Sequence, residues 1–205
     1  MARVPAPPQA VDTMSSAQLD RRRRVLDAVI ELVASGRVDD WGMKDVADRS
    51  GVALGTIYRY FSSKDHVAAA ALLEWARTLD AGRAVPRASA ASDGDTMTDR
   101  LVAILRRAVR AYQRQPAFAR LVILAATSTD PFASECYAEM GASVFDTLGG
   151  ALDDLDPEAR RRVLEVVGAV WYQALIEWVN DRKTIAQVYD AVESAARLVL
   201  AGYDP

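Results

Sequence analysis

The sequence predicts an all-α protein of about nine helices, with an N-terminal helix-turn-helix head and a larger C-terminal helical domain. Three observations predict it. Apolar residues recur at three- and four-residue spacing along almost the whole chain. No Asn-Gly hairpin turn, sustained alternation or β-branched cluster marks a pair of strands. Pro116, Pro131 and Pro157 stand at or near the first turn of periodic segments, where a missing N–H costs nothing.

The elements follow in order. Residues 1–14 are rich in Pro and Ala and read as a disordered arm. A first helix is expected from about Ser16 to Ser35, with Leu19, Leu26, Val29, Ile30 and Val33 on one face and Gly36 as its stop. A second covers about Met43 to Ser50, and Gly51 follows where a left-handed cap is cheap. A third covers about Leu54 to Phe61. Ser63 suits the N-cap of a fourth that runs to about Ala81. Residues 82–95, "GRAVPRASAASDGD", have no apolar stripe and read as a mobile loop. Five helices follow, at about 96–114, 117–128, 131–152, 157–182 and 184–201. The expected division is an arm (1–14), a helix-turn-helix domain (15–65) and a ligand-binding and dimerisation domain (66–205).

Bulk properties narrow the function. The 205 residues are half apolar and a quarter charged, an ordinary globular balance. No apolar run reaches the roughly 20 residues that span a bilayer, so no membrane role is expected. The opening "MARVPAPPQAVDTM" lacks the apolar core of a secretory signal. Cys136 is the single cysteine, which rules out an internal disulfide and a zinc site built on several Cys, and fits a reducing cytoplasm. The net charge of −3 argues against an indiscriminate nucleic-acid binder. Its distribution is uneven: residues 1–129 hold 19 Lys/Arg and 14 Asp/Glu (19 − 14 = +5), whereas residues 130–205 hold 6 and 14 (6 − 14 = −8). The front can meet a polyanion that the back would repel.

The spacing between the second and third helices is specific. Ala47 is small enough for two helices to cross closely, Gly51 makes the turn, Val52 and Ile57 fill the wedge, and Phe61 closes it. Two helices around such a turn form a unit whose second helix enters a major groove by its N-terminal end. With Ile57 and Phe61 inward, Thr56, Tyr58, Arg59 and Tyr60 are expected largely outward. Gly55 lets a backbone approach closely. Thr56 can meet a phosphate or a thymine methyl, the tyrosines can give hydroxyls to phosphates, and Arg59 can pair with phosphate or guanine. Lys44 and Lys64, each at a helix start, flank the same groove. Aromatic residues at helical spacing usually belong to a core, but here Val46, Val52, Ile57 and Phe61 already supply one.

The stretch "MKDVADRSGVALGTIYRYFSSKDHVAAAAL", Met43 to Leu72, resembles the DNA-binding signature of the TetR family of bacterial repressors. The shared core is Gly55, Thr56, Ile57, Tyr58, Arg59, Tyr60 and Phe61, then Lys64. The preceding "RRRRVLDAVIELVASG" is similar to the family's first helix, and nine helices match its architecture along the chain. "DDWGMKDVA", with Trp41 and Gly42, only approximates the family's text there. The resemblance implies a dimer that binds a double-stranded DNA operator, with contacts from Lys44, Leu54, Gly55, Thr56, Tyr58, Tyr60 and Lys64. Arg59 is added from its own chemistry. For Arg21 to Arg24 two readings stand: at least one reaches a phosphate, or all form a solvated face paired with Asp20 and Asp27.

Such a repressor needs a dimer contact and a ligand chamber. Val163, Val167, Val170, Ala174 and Trp178 recur on one face, beside Val166, Trp171 and Leu175. Ile185, Val188, Val192, Ala195 and Val199 follow a similar spacing in the last helix. Together these stripes suit a four-helix bundle between two subunits, or packing within one, or both. Two reading helices about 34–36 Å apart require an inverted repeat.

The chamber candidates are Leu105, Tyr112, Phe118, Leu121, Val122, Leu124, Met140, Phe145, Trp171, Leu175 and Trp178, with Thr127, Gln173 and Asn180 for polar contacts. Each aromatic also suits plain core. As a set they favour a bulky apolar effector over a sugar or nucleotide. Val170, Trp171, Leu175 and Trp178, with "GTIYRYFSSK", look similar to actinobacterial regulators of steroid breakdown, which implies an acyl-CoA-like steroid effector. Arg106, Arg110 and Arg114 form a stripe that reads either as a CoA-phosphate site or as a solvated face.

The rival classes have weaker support. The single histidine, His66, lies in the head, and Cys136 has no histidine near it in sequence and reads as a structural thiol. No phosphate loop, metal motif or nucleophile elbow is present, so neither catalysis nor a cofactor is expected. An activator or a protein-responsive regulator of the same fold, or a helical protein-interaction module without DNA binding, remains the alternative.

Overall fold

The computed structural model describes residues 7–38, 40–81 and 96–203, with the side chains of residues 80 and 81 left aside. Among these residues the secondary structure is helical throughout. A 3-10 turn, Val11–Thr13, is followed by α1 (Ser16–Ala34), α2 (Met43–Ser50), α3 (Leu54–Tyr60), α4 (Lys64–Ala81), α5 (Met97–Arg114), α6 (Pro116–Thr127), α7 (Pro131–Gly149), a 3-10 turn (Gly150–Leu152), α8 (Pro157–Val179) and α9 (Ile185–Leu200). No helix among them is long and apolar enough to cross a membrane.

The expected boundaries hold to within a few residues, and the caps explain them. Gly36 (φ +88°) and Gly51 (φ +64°) take the left-handed conformation that stops α1 and α2. The Ser63 hydroxyl accepts the His66 N–H at 3.1 Å at the head of α4. Asp156 caps α8 by accepting the N–H groups of Glu158 and Ala159, both at 3.0 Å, and Thr184 caps α9. α8 stops at Val179, three residues before its expected end. Asp181 turns left-handed (φ +57°), and the N–H groups of Arg182 and Lys183 fold back onto the Glu177 carbonyl.

Two expectations at the front need correction. Residues 7–14 are not a loose arm. The Gln9 N–H donates to the Arg59 carbonyl at 2.9 Å, residues 11–13 form the 3-10 turn, and Met14 is buried. Residues 1–6 lie outside the described residues, as does the expected loop at 82–95. Leu19 is exposed rather than part of the apolar face of α1, which consists of Val25, Leu26, Ala28, Val29, Leu32 and Val33. The buried stripe begins only at Val25.

The helices pack as two units. One comprises Met1–Leu79 with Arg120–Met140, and the other Asp80–Ala119 with Gly141–Pro205. In the first, α1 packs on α2 and α3, and Val46, Val52, Ile57, Tyr60 and Phe61 are buried. Every residue from Val67 to Leu73 on α4 is also buried. That apolar run explains why the packing boundary lies beyond residue 66. In the second, α8 packs on α9, and α5 packs on α9 and on the second 3-10 turn. Its core includes Leu101, Leu105, Val167, Leu175, Val192 and Leu200.

Candidate nucleic-acid interface

The reading face is built from short elements. α3 has seven residues, and Phe61 ends it in an extended conformation. Ile57 and Phe61 are fully buried beneath it. Arg24 Nη1 donates to the Ser50 carbonyl at 3.2 Å, and the Val52 N–H donates to the Ser50 hydroxyl at 3.2 Å, so the α2–α3 turn is tied from both sides. On the outer side Gly55, Arg59 and Lys44 are exposed, and Leu54 and Thr56 are half-buried. A Cβ at Gly55 would meet nothing within 4 Å, so this stretch of backbone is open. Lys44 and Leu54 line one shallow depression together with Ala47, Asp48, Gly51, Val52 and Ala53.

The two tyrosines part company. Tyr58 is 50% exposed, as expected, but Tyr60 is 2% exposed. Tyr60 lies three residues after Ile57, so the helical repeat carries it to the buried face along with Phe61. Its hydroxyl accepts from Arg21 Nε at 3.4 Å. Arg22 lies over the Phe61 ring at 5.2 Å, and burial lowers its pKa. Of the four arginines at 21–24, then, three have partners in the head: Tyr60, Phe61 and Ser50. Arg59 Nη2 reaches Gln9 Oε1 at 3.4 Å. The Lys64 ammonium sits over the Trp41 ring, 4.6 Å from its centroid.

Below the reading helix the same unit contains a polar clasp that sequence reasoning missed. Ser62 and Ser63 donate their hydroxyls to Asp130 Oδ2 at 2.7 and 2.6 Å. In return Ser128 donates to Asp65 Oδ2 at 2.8 Å. Asp130 also caps α7, accepting the N–H groups of Phe132 (2.9 Å) and Ala133 (3.2 Å). Two Ser–Asp exchanges thus join the α3–α4 turn to the α6–α7 turn. Burial alone would raise the Asp130 pKa, but the hydrogen bonds from Ser63, Ser62, Ala133 and Phe132 outweigh it and the net shift is downward. No sequence spacing signals a pairing across more than sixty residues.

His66 is buried beside this clasp, stacked on Phe132 (centroids 5.4 Å apart) and edge-on to Phe61 (5.2 Å). The Ser62 N–H donates to its Nδ1 at 3.1 Å, which leaves the ring proton on Nε2. Burial pushes its pKa down to about 4; Asp130 raises it and Arg22 lowers it further, both by smaller amounts. Between pH 4 and the ordinary value of 6.5 the unfolded chain therefore binds more protons than the fold. Stability is full above about 6.5 and falls by about 3 kcal/mol as pH drops to about 4. Denaturant titrations at pH 4.5, 5.5 and 7 should show this slope, and His66→Gln should flatten it. A slope that survives the substitution would assign it elsewhere. The Asp130 contribution is lost separately, below its ordinary pKa of 3.8.

The chamber candidates fall in both units, and each set is described within its own. Leu121, Val122 and Met140 are buried and Leu124 half-buried in the first. Leu105, Phe118, Trp171 and Leu175 are buried, and Tyr112 and Trp178 half-buried, in the second. Phe145 departs from the expectation. It is exposed, with its ring against α8 near Gly168. Thr127, Gln173 and Asn180 also face outward and bond along their own helices, to the Ile123 carbonyl, Glu177 and the Ile176 carbonyl. The Trp171 indole N–H is buried without a hydrogen-bond partner among the described residues. Arg106 pairs with Glu193, and Arg110 donates to the Arg106 carbonyl at 3.4 Å, which favours a solvated stripe there.

The stripes expected at a dimer contact are mostly core: Val163, Val167, Ala174, Val188, Val192 and Ala195 are all buried within the second unit. The large apolar side chains most open on the same helices are Val166 (48% exposed), named with the α8 stripe, and Leu198 (78%), which was not expected there. Cys136 is half-buried, and burial raises its thiol pKa.

Comparison with known proteins agrees with this geometry. Residues 25–71 match the model of bacterial regulatory proteins of the tetR family, and residues 94–199 match that of the tetracyclin repressor-like C-terminal domain. The chain is 32% identical over 191 residues to the HTH-type transcriptional repressor KstR of Rhodococcus jostii, covering 92% of this chain and 87% of that protein. It is likewise 32% identical over 187 residues to the repressor of the same name from Mycolicibacterium smegmatis, covering 91% and 90%. Among solved structures, a TetR transcriptional regulator from Rhodococcus sp. RHA1 aligns with a TM-score of 0.77 at 25% identity, over 92% of this chain and all of that one. FadR of Bacillus subtilis, solved with stearoyl-CoA, shares the fold at a TM-score of 0.64 and 18% identity, over 88% and 98%.

Proposed function

This chain belongs to the TetR family of bacterial regulatory proteins, and from that membership we propose that it is a transcriptional repressor. It binds an inverted-repeat operator as a dimer in the cytoplasm and is released by a small, largely apolar effector. The observation that carries this reading is the outer face of α3, where Thr56, Tyr58 and Arg59 surround an open backbone at Gly55. The head (15–65) reads DNA, and residues 66–205 bind the effector and the second subunit. Lys44, Leu54, Gly55, Thr56, Tyr58, Arg59 and Lys64 meet the operator directly. Tyr60 acts from beneath, buried and with its hydroxyl accepting from Arg21.

Dimerisation runs through the outer sides of α8 and α9, where Val166 and Leu198 would be covered by a second copy. The effector takes an apolar site within the second unit, among Leu105, Tyr112, Phe118, Trp171, Leu175 and Trp178. The resemblance of Val170, Trp171, Leu175 and Trp178 to regulators of steroid breakdown favours a steroid acyl-CoA. Release is a population shift, set by how much better the effector binds the conformation that cannot span two half-sites. The Ser–Asp clasp gives the α6–α7 turn a direct hold on the end of the reading helix.

The test is an operator selection from genomic DNA with the purified protein, repeated with Thr56→Ala/Tyr58→Ala. The expected result is one enriched inverted repeat, lost in the double variant, whose affinity falls steeply with salt. The selected duplex is then titrated with a steroid acyl-CoA, the free steroid and CoA alone. Release by the first only supports the effector class. No enrichment at moderate salt would turn the reading toward a protein-binding head.

A further inference from the structure

We propose that Trp41 is a positioning residue for operator binding: its indole face holds the Lys64 ammonium at the start of α4, ready for a phosphate. This rests on the reading of Lys64 as a phosphate contact. Trp41 lies in the α1–α2 turn, twenty-three residues before Lys64, where the sequence only approximates its family.

The geometry is that of a cation over an aromatic face. Lys64 Nζ stands 4.6 Å from the centroid of the Trp41 ring. Such contacts act within about 6 Å, and tryptophan gives the strongest of them. The ring cannot swing away, since Trp41 is 4% exposed. The chain beside it is also held. The Gly42 N–H donates to Asp45 Oδ2 at 2.7 Å, and Arg37 pairs with the other oxygen of that carboxylate at 3.4 Å.

Electrostatics explains why a holder is needed. Lys64 is the first residue of α4, at the positive end of the helix dipole, where a cation is disfavoured. The same helix end favours an incoming phosphate. The negative face of the indole offsets the first effect and keeps the ammonium where the second operates. A lysine stem held in place before binding loses less rotamer freedom when DNA arrives. Arginine at 64 would not be equivalent, because its planar fork stacks on the ring instead of standing over it.

The test is a double-variant cycle on the selected operator duplex, read by fluorescence anisotropy at two salt concentrations, with Tm recorded for each protein. Lys64→Met should weaken binding and reduce the salt slope by about one per head. Trp41→Leu should weaken binding about threefold to tenfold, Trp41→Phe less, and Trp41→Leu in the Lys64→Met background should add less than about twofold. Equal losses from Trp41→Leu in both backgrounds would overturn the proposal and make Trp41 a core residue only. An unchanged affinity in Lys64→Met would overturn the phosphate reading of Lys64, and this inference with it. If Trp41→Leu does not fold, Trp41→Phe and Trp41→Tyr complete the cycle.

Discussion

Tyr58→Ala should weaken operator binding about a hundredfold and leave the fold intact, while Tyr60→Ala should do the reverse of the second. Tyr58 is half exposed and loses nothing internal when truncated. A hydrogen bond from its hydroxyl to a charged phosphate is worth about 1.5 kcal/mol. A dimer makes that contact twice, and about 3 kcal/mol corresponds to roughly a hundredfold. Tyr60 is an almost wholly buried aromatic, and removing such a side chain costs about 3–5 kcal/mol of stability. Tyr60→Phe keeps the ring and gives up only a long hydrogen bond from Arg21, so its Tm should move little. Thermal melts and anisotropy titrations on the same four proteins separate the roles. A stable Tyr58→Ala protein with undiminished operator affinity would remove α3 from the interface.

Leu198→Glu should convert the protein to monomers and weaken operator binding by at least two orders of magnitude. The side chain is the most open large apolar group among the described residues, so the single subunit should tolerate the change within about 0.5 kcal/mol. In a dimer formed by α8 and α9 the same change would bury a carboxylate from each subunit in the contact. Each costs several kcal/mol without a partner. The outcome is read by sedimentation velocity at micromolar concentration, with far-UV circular dichroism as a check on folding. Leu198→Met, which keeps the apolar surface, should remain dimeric. A dimer undisturbed by the glutamate would move the subunit contact to another face.

Much of the fold was legible in the sequence because helix ends are local events. Gly36 and Gly51 needed left-handed backbone, Ser63 and Thr184 capped what followed them, and prolines opened α6, α7 and α8. The reading helix was legible for the same reason, since a turn of fixed length sets which residues lie outside. Orientation was harder. Tyr60 carries a polar tip on a body that prefers burial, and only the tertiary packing of α1 on α3 decides between them. The stripes on α8 and α9 did not separate a subunit contact from internal core, because one periodicity marks every buried face, whichever partner covers it. Val166 and Leu198 stand out only once the internal core is known. The Ser–Asp clasp and the Trp41–Lys64 contact join segments distant in the chain, and polar pairs of that kind leave no periodic trace.

The shortness of α3 has a further consequence. Seven residues make fewer than two turns, too few to hold a helix in water by themselves. Its order is lent by Ile57, Phe61 and the helices beneath, so its helicity follows the opening free energy of the whole head. A peptide copied from residues 54–60 would not read DNA. Warming that frays the head should relax operator binding even when no effector is present. Substitutions at the buried Val46 or Val52 should weaken operator binding through the same loss.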